Sequence, residues 1–474
     1  MPNLISKFPI KGVTVGPKHH FFGFHDLCPW DASGRFLLAE EVDFIYRPPT
    51  ASDTARICLI DMLAPSKTKG FDSGSNVNGQ MSLVALAETN AWNFHQGSRL
   101  QWLPGGVASD VPNIDGSGLD IRNPNIVRKC IYNDRQGERF VSVILDVETG
   151  EKKVLPAPIY AVSPNGKFAL GLNFARLKKY GGYGYAYQTL NSKSETLNLE
   201  EPFPKDDGIF RIDLETGEVK LAISIHDVAH LNNFPRENEH HYLTHVNFNP
   251  SGTRICFVDK FLLPDGGSMQ RFVTANPDGG DIYVLPGHIS HFGWRNDAEI
   301  LAYGKWSPQA VALRRIGILN NPLFKPLLRL VRLLRGSLKQ KIAGQSYFLL
   351  HDKSEKVRRI AVGLMTEDGH PQFSYDGNWV ITDTYPDKNH YRALILYNWI
   401  TGKKIEIGKF HSLPSGLKTN TLPDGRVEPW DISEMRSDLH PRWNRDGTQI
   451  CFDSVHDGSR QMYVVDVKSY INKL

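Results

Sequence analysis

The chain has 474 residues, 41% of them apolar and 11% aromatic, with a formal net charge of +4. It holds no apolar run of the ~18 residues a membrane-spanning helix needs, and Met1-Pro-Asn-Leu-Ile-Ser-Lys7 lacks the apolar core of a signal peptide. The charge is uneven: nine Lys or Arg and no acid lie between Ile300 and His351, so the rest is net acidic and a basic face for nucleic acid is not expected.

In chain order, Ile10–Val15 reads as a short strand. Phe21-Phe-Gly-Phe-His25-Asp26 then leads to the turn Trp30-Asp-Ala-Ser-Gly34. A second unit, with His95, Gln96 and Arg99, reaches Trp102-Leu-Pro-Gly-Gly106. A third turns at Val162-Ser-Pro-Asn-Gly166 and carries Arg176 and Tyr180-Gly-Gly-Tyr183-Gly-Tyr185. Those glycines weaken a strand interior, so this run is expected to be a loop with accessible phenols.

The pattern sharpens in the C-terminal half. Four copies read His, two residues, an aromatic, then a polar turn closed by Gly or Ala: His245–Gly252, His291–Ala298, His370–Gly377 and His440–Gly447. Asp-Gly and Ser-Gly supply the positive φ that a hairpin turn requires. An apolar strand follows each turn: Arg254–Val258, Ile300–Tyr303, Trp379–Thr382 and Gln449–Phe452. Seven such units predict an all-β fold, a seven-bladed β-propeller occupying 1–474 as one domain with loop insertions. A ring must close or leave two edges. The N-terminal strand is therefore expected to complete the last blade beside Gln461–Val467.

The segment 305–345 differs in kind. Leu323, Leu327, Leu330, Val331, Leu334 and Leu338 recur at helical spacing, with Lys325, Arg329, Arg332 and Lys339 on another face. A basic amphipathic helix over 321–341 either lies on an anionic membrane surface or packs on the propeller's side. The five cysteines form no CxxC pair, and Cys58, Cys256 and Cys451 fall in apolar strand runs, as reduced cysteines do. A cytoplasmic protein is expected, with peripheral contact at the inner membrane if the helix docks there.

His245, His291, His370 and His440 all stand seven residues before the Gly or Ala of their turn. Equal offset means equal height on the innermost strand, so four consecutive blades aim an imidazole at one mouth of the channel. His25 lies two residues further out on the same strand face, and Arg99 holds the equivalent place in the second unit. Converging imidazoles hold a divalent ion such as Mn²⁺ or Zn²⁺, or act as acid and base near neutral pH. A lone propeller histidine is more commonly a structural one bonded to neighbouring backbone.

These repeats, with Ser290-His291-Phe-Gly-Trp294, Asp383-Thr-Tyr-Pro-Asp387 and His440-Pro-Arg-Trp443, resemble the seven-bladed propeller lyases of acidic polysaccharides. The likeness is to the oligogalacturonate lyases and, more loosely, the ulvan lyases; the turn motifs are shared with non-catalytic TolB-like and WD40-like repeats. The resemblance implies metal-dependent β-elimination on a uronate-containing oligo- or polysaccharide. It implies a metal shell of His245, His291, His370 and His440, with His25 as base, Tyr183 as the second choice, and Arg99 and Arg176 facing the substrate carboxylate. The chain lacks that family's close Gln-x-x-His-x-His cluster. Two other readings stay open: a hydrolase using the same pocket, and a non-catalytic, membrane-associated binding module in surface polysaccharide biosynthesis.

Overall fold

The computed structural model describes residues 2–65, 81–104, 128–187, 199–232, 239–262, 268–305, 344–412, 417–421, 427–431 and 437–471. The turns form as their residues dictate. Gly252, Gly377 and Gly447 take φ of 73°, 67° and 69°. Their amides donate back to the carbonyls of Asn249, Ser374 and Asn444.

Around these turns the described residues build seven antiparallel blade sheets in sequence order, plus a separate two-stranded sheet of Leu417–Thr421 and Val427–Asp431. Blade 1 comprises His19–Phe21, Phe36–Val42, Ala55–Pro65 and Met81–Thr89; blade 2 Gln101–Trp102, Lys129–Gln136, Arg139–Asp146 and Lys152–Leu155. Blade 3 comprises Ala161–Val162, Phe168–Gly171, Gly208–Asp213 and Val219–Ser224; blade 4 His240–Phe248, Ile255–Leu262, Ser268–Ala275 and Tyr283–Leu285. Blade 5 comprises His288–Trp294, Glu299–Lys305, Gln345–His351 and Val357–Ile360; blade 6 Gln372–Phe373, Trp379–Asp383, Tyr391–Asn398 and Lys404–His411. Blade 7 supplies Arg442–Trp443, Gln449–Ser454 and Gln461–Asp466 from its own sequence. Its fourth strand is Ile10–Gly12, paired antiparallel with Tyr463–Val465, which is the expected closure. The strand is shorter than the sequence suggests. A second N-terminal strand, Leu4–Ser6, adds a fifth strand to blade 6 beside Gly408–Phe410.

The aromatic three residues after each repeat histidine packs against the preceding blade. Phe248 lies 5.8 Å from Phe168 of blade 3. Trp294 shares a core with Cys256 and Val258 of blade 4, Phe373 with Leu301 and Tyr303 of blade 5, and Trp443 with Trp379 and Ile381 of blade 6. Each such burial stabilises by about 1.5–3 kcal/mol. One motif thus does two things: the aromatic sets blade against blade, and the histidine faces the channel. The basic segment expected to be helical falls almost wholly in 306–343, outside the described residues. Among the described residues no helix is long and apolar enough to cross a membrane.

Blades 1 and 2 depart from regular inner strands. Between Phe21 and Trp30, and between Thr89 and Gln101, the chain runs as loops. A buried acid joins the two blades: Glu40 Oε1 accepts from the Ser98 amide at 2.7 Å and its hydroxyl at 2.8 Å. Gly97 is required there, with φ of 58°, because a Cβ would meet Glu40 Oε1 at 2.4 Å. Burial pushes the Glu40 carboxyl up to about 7, against the bonds from Ser98. A carboxyl raised in the folded state stabilises fully below its unfolded value, and that stability is lost as pH rises through about 7. Glu40→Gln should therefore flatten the fall in stability between about pH 4 and about pH 9, by on the order of 3 kcal/mol. Denaturant unfolding at several pH values checks this; parallel curves for the two proteins would refute it.

Candidate metal and active site

The irregular inner loop of blade 1 projects Phe24 and His25 into the channel. Phe24 is 4% exposed. Its ring lies 5.0 Å from His440, 5.3 Å from His245 and 6.1 Å from His370. Around it His291 and His370 stand 4.3 Å apart, His370 and His440 4.4 Å, and His25 and His370 5.1 Å, measured between ring centroids. These rings lie close enough to form one group. His25 joins His291, His370 and His440. His245, the fourth residue of the expected shell, lies on the other side of Phe24, 5.3 Å from its ring, with Tyr183 5.6 Å away.

Backbone geometry marks the same residues. The position seven residues before the turn is left-handed in three blades: Arg99 (φ 58°), His245 (φ 56°) and His440 (φ 42°). Pairing slips at this point in blades 4 and 5, between Thr244 and Asn247 and between Ile289 and His291. Such bulges re-aim a side chain at the end of a strand. Positive φ at a non-glycine costs of order 1–3 kcal/mol and persists where the surroundings enforce it.

Hydrogen bonds divide the histidines into two groups. His291 Nδ1 bonds Asp368 at 2.9 Å, His370 Nδ1 bonds Asp383 at 2.8 Å, and His440 Nδ1 donates to the Gly23 carbonyl at 2.9 Å. Each such bond fixes the ring and leaves Nε2 as the coordinating nitrogen, the usual outer support of a metal-bound imidazole. His440 Nε2 is buried with no hydrogen-bond partner among the described residues. In His25 and His245 it is Nδ1 that is buried without a hydrogen-bond partner among the described residues. Burial, reinforced by neighbouring histidines and cations, holds His25, His245 and His440 well below the usual imidazole range. His370 is the exception: burial works to lower it, but Asp383, with Asp438 and Asp368 behind it, leaves it raised.

The carboxylates were missed by sequence reasoning as site residues, although a signal was present. Asp368-Gly-His370 and Asp438-Leu-His440 share an Asp two residues before the histidine, and in each case the Asp reaches back to the preceding blade. Asp368 holds His291. Asp438 pairs with Arg392 at 2.6 Å and lies 3.8 Å from His440 Nε2. Asp383 braces blades 6 and 7 together: one oxygen accepts from the His370 amide and ring, the other from the amides of Leu439 and His440.

Among the described residues, ligand atoms of His370, Asp438 and His440 lie within 4.8 Å of one another. Two imidazoles and a carboxylate, one imidazole nitrogen orphaned and all three residues buried, fit a divalent ion of the Mn²⁺ or Zn²⁺ kind. His291 stands beside them as a further donor. His25, His245 and His291 border a cavity of about 10 Å³ with Phe24 and Asn247, room for a single water. A larger cavity of about 340 Å³ is walled by Phe140, Leu172, Phe174 and Phe210 and contains none of these histidines; the convergent polar chemistry lies in the channel.

Arg99 and Arg176 have other partners than the expected substrate carboxylate. Arg99 is fully buried, forked on Asp26 at 2.8 and 3.1 Å, bonded to the Tyr160 carbonyl and laid over the Tyr160 ring. Arg176, on the short helix Phe174–Lys179, is spent on the carbonyls of Glu201, Pro202 and His241. Both sat at plausible positions in the sequence, but buried guanidinium groups must be satisfied, and nearby backbone does so. Tyr183 is half-buried, stacked on His95 at 4.5 Å, at the edge of the cluster. Two further arginines set the inner loops of blades 1 and 2. Arg442 donates to the carbonyls of Gly23 and Phe24, Arg460 to that of Phe94, and both are held by buried Asp453.

The chain matches no protein-family model and no curated protein sequence. Among solved structures it resembles an oligogalacturonate lyase from Vibrio parahaemolyticus, with a TM-score of 0.55 and 13% identity over 98% of this chain and 96% of that one. An oligogalacturonate lyase in complex with manganese gives 0.51, with 14% identity over the same shares. A TolB from Acinetobacter baumannii gives 0.34, with 11% identity over 80% of this chain and 64% of that one. Identity this low speaks to architecture, and the architecture is that of the oligogalacturonate lyase: a seven-bladed β-propeller.

Proposed function

We propose that the channel mouth is the active site of a metal-dependent lyase acting by β-elimination on a uronate-containing oligosaccharide. The observation that carries this reading is the division of the histidines. His291, His370 and His440 are pinned at Nδ1, as metal ligands are, whereas His245 is unpinned and stands apart. The propeller of an oligogalacturonate lyase, and one such enzyme's complex with manganese, support the same reading.

In this scheme His370, His440 and Asp438 hold the ion, with His291 beside them. When bound, such an ion would supply positive charge that offsets the substrate's carboxylate and so acidifies the proton on the adjacent ring carbon. His245 takes that proton. Burial, Lys260 and the neighbouring histidines hold its value well below the usual imidazole range, which favours the unprotonated ring a base needs. The electrons of the broken C5–H bond form the C4–C5 double bond, and O4 departs with the glycosidic bond's electron pair and takes a proton from solvent. The base role thus moves from His25, which sits among the pinned rings, to His245, whose ring makes none of those close pairs. His25, ringed by His291, His370 and His440, keeps the pocket's other unpinned imidazole close to the ion.

The test is elemental analysis of the purified protein, then an ultraviolet assay for unsaturated uronate ends with a panel of acidic oligosaccharides. His245→Gln should reduce turnover roughly 10²–10⁴-fold, the usual worth of a general base, while metal content stays at the wild-type level. Equal loss of metal and activity in this variant would return His245 to the metal shell.

A further inference from the structure

With Arg99 and Arg176 committed elsewhere, the substrate's carboxylate calls for another cation beside the ion. We propose that Arg392 is the residue that recognises that carboxylate, and so makes the site selective for free uronates over their esters; this rests on the lyase reading above. Arg392 stands on Tyr391–Asn398 of blade 6 and is 1% exposed. Its Nη1 pairs with Asp438 at 2.6 Å and reaches the Thr384 carbonyl at 3.4 Å, and its Nε donates to the Ser412 hydroxyl at 3.2 Å. Nη2 is buried and has no hydrogen-bond partner among the described residues. Among the described residues the Ser437 hydroxyl, next to Asp438 in the chain, is likewise buried without a hydrogen-bond partner.

Native folds rarely leave a buried guanidinium nitrogen unbonded, and where one occurs a partner is to be sought. The place of this one indicates which partner. Its guanidinium carbon lies 5.9 Å from the Tyr385 ring, which in turn lies 6.0 Å from His291 and 6.2 Å from His370. The guanidinium therefore stands one ring away from the histidine cluster, with Tyr385 between them. Asp438 links the two functions: one oxygen faces Arg392 and the other faces His440. A carboxylate entering beside the ion meets a donor that is already charged and held in orientation on one side. A planar guanidinium suits a carboxylate better than an ammonium does, because its fork presents parallel N–H bonds. An ester offers that donor no charge.

The experiment measures binding by calorimetry with manganese-loaded protein. The probes are galacturonate, glucuronate and mannuronate oligosaccharides, each as free acid and as methyl ester. Wild-type protein should prefer at least one acid over its ester by roughly 10- to 100-fold, the worth of a charged hydrogen bond. Arg392→Lys keeps a cation for Asp438 but loses the second N–H pair. It should keep its metal and its melting temperature and lose most of that preference, and Arg392→Gln should abolish the preference. If wild type shows the preference and both variants keep it, Arg392 merely orients Asp438; the proposal falls and the lyase reading stands. Loss of metal in Arg392→Gln with unchanged selectivity in Arg392→Lys likewise overturns the proposal and leaves the lyase reading in place. If wild type prefers none of the acids, both fall together.

Discussion

His370→Ala is expected to remove bound metal and lyase activity together, each by at least about 100-fold, since a lost ligand should cost no less than the 10–100-fold typical of an outer-shell partner. Three features single out this position. His370 lies closest to both neighbours, 4.3 Å from His291 and 4.4 Å from His440. It belongs to the one triad of ligand atoms found within 4.8 Å among the described residues. Its ring and its amide are both anchored by Asp383.

The anchor supplies a graded second test. Both oxygens of Asp383 are filled by N–H donors, two on each. Asp383→Asn must turn an NH₂ toward two of those donors, so either His370 or the Leu439–His440 backbone loses its acceptor. Metal affinity should fall about 10–100-fold without vanishing. The ordering to expect in elemental analysis is wild type, then Asp383→Asn, then His370→Ala. Full metal occupancy in His370→Ala would show that the histidine register is a structural repeat, and the lyase mechanism would lose its basis.

The difference between what the sequence showed and what it hid follows from how each feature is encoded. Turn glycines, the aromatic three residues past each histidine and the strand runs after each turn are local and periodic, and they announce seven blades. The histidines' shared offset from their turns was legible for the same reason. Their direction was not, because it depends on backbone that leaves the strand. His245 and His440 sit at positive φ and His291 beside a bulge, so equal offset did not guarantee one shared point. His25 entered the close group through a loop held at Phe24 by Arg442, a contact spanning 418 residues of sequence. Arg99 looked free in sequence because its partner, Asp26, comes from another blade. Asp438 was hidden by chemistry rather than distance: a lone acid next to a repeat histidine carries no mark until Arg392 and His370 are seen around it.

Removal of residues 1–16 is expected to open the ring and lower stability sharply. The ring closes through two three-residue ladders, Ile10–Gly12 on blade 7 and Leu4–Ser6 on blade 6. Between and after them Phe8 and Val13 are 6% and 2% exposed. Phe8 packs in the core that holds Trp379 and Trp443, and Val13 in the one that holds Trp30 and Met462. Burying two such side chains is worth about 3–6 kcal/mol, before the ladder bonds are counted. The segment also ties the ring's seam, because the Thr14 hydroxyl accepts from the Met462 amide at 2.9 Å and the Val13 amide donates to the Met462 carbonyl at 2.9 Å. Deletion leaves Gln461–Asp466 and Lys404–His411 as bare strand edges, which invite pairing between molecules. The truncated protein should melt roughly 5 °C or more below the full chain and gain a concentration-dependent aggregation phase. Phe8→Ala separates the two contributions: it removes core packing but leaves both ladders, so it should lower the melting temperature without aggregation. An unchanged melting curve for the truncated protein would mean that blades 6 and 7 hold the ring shut on their own.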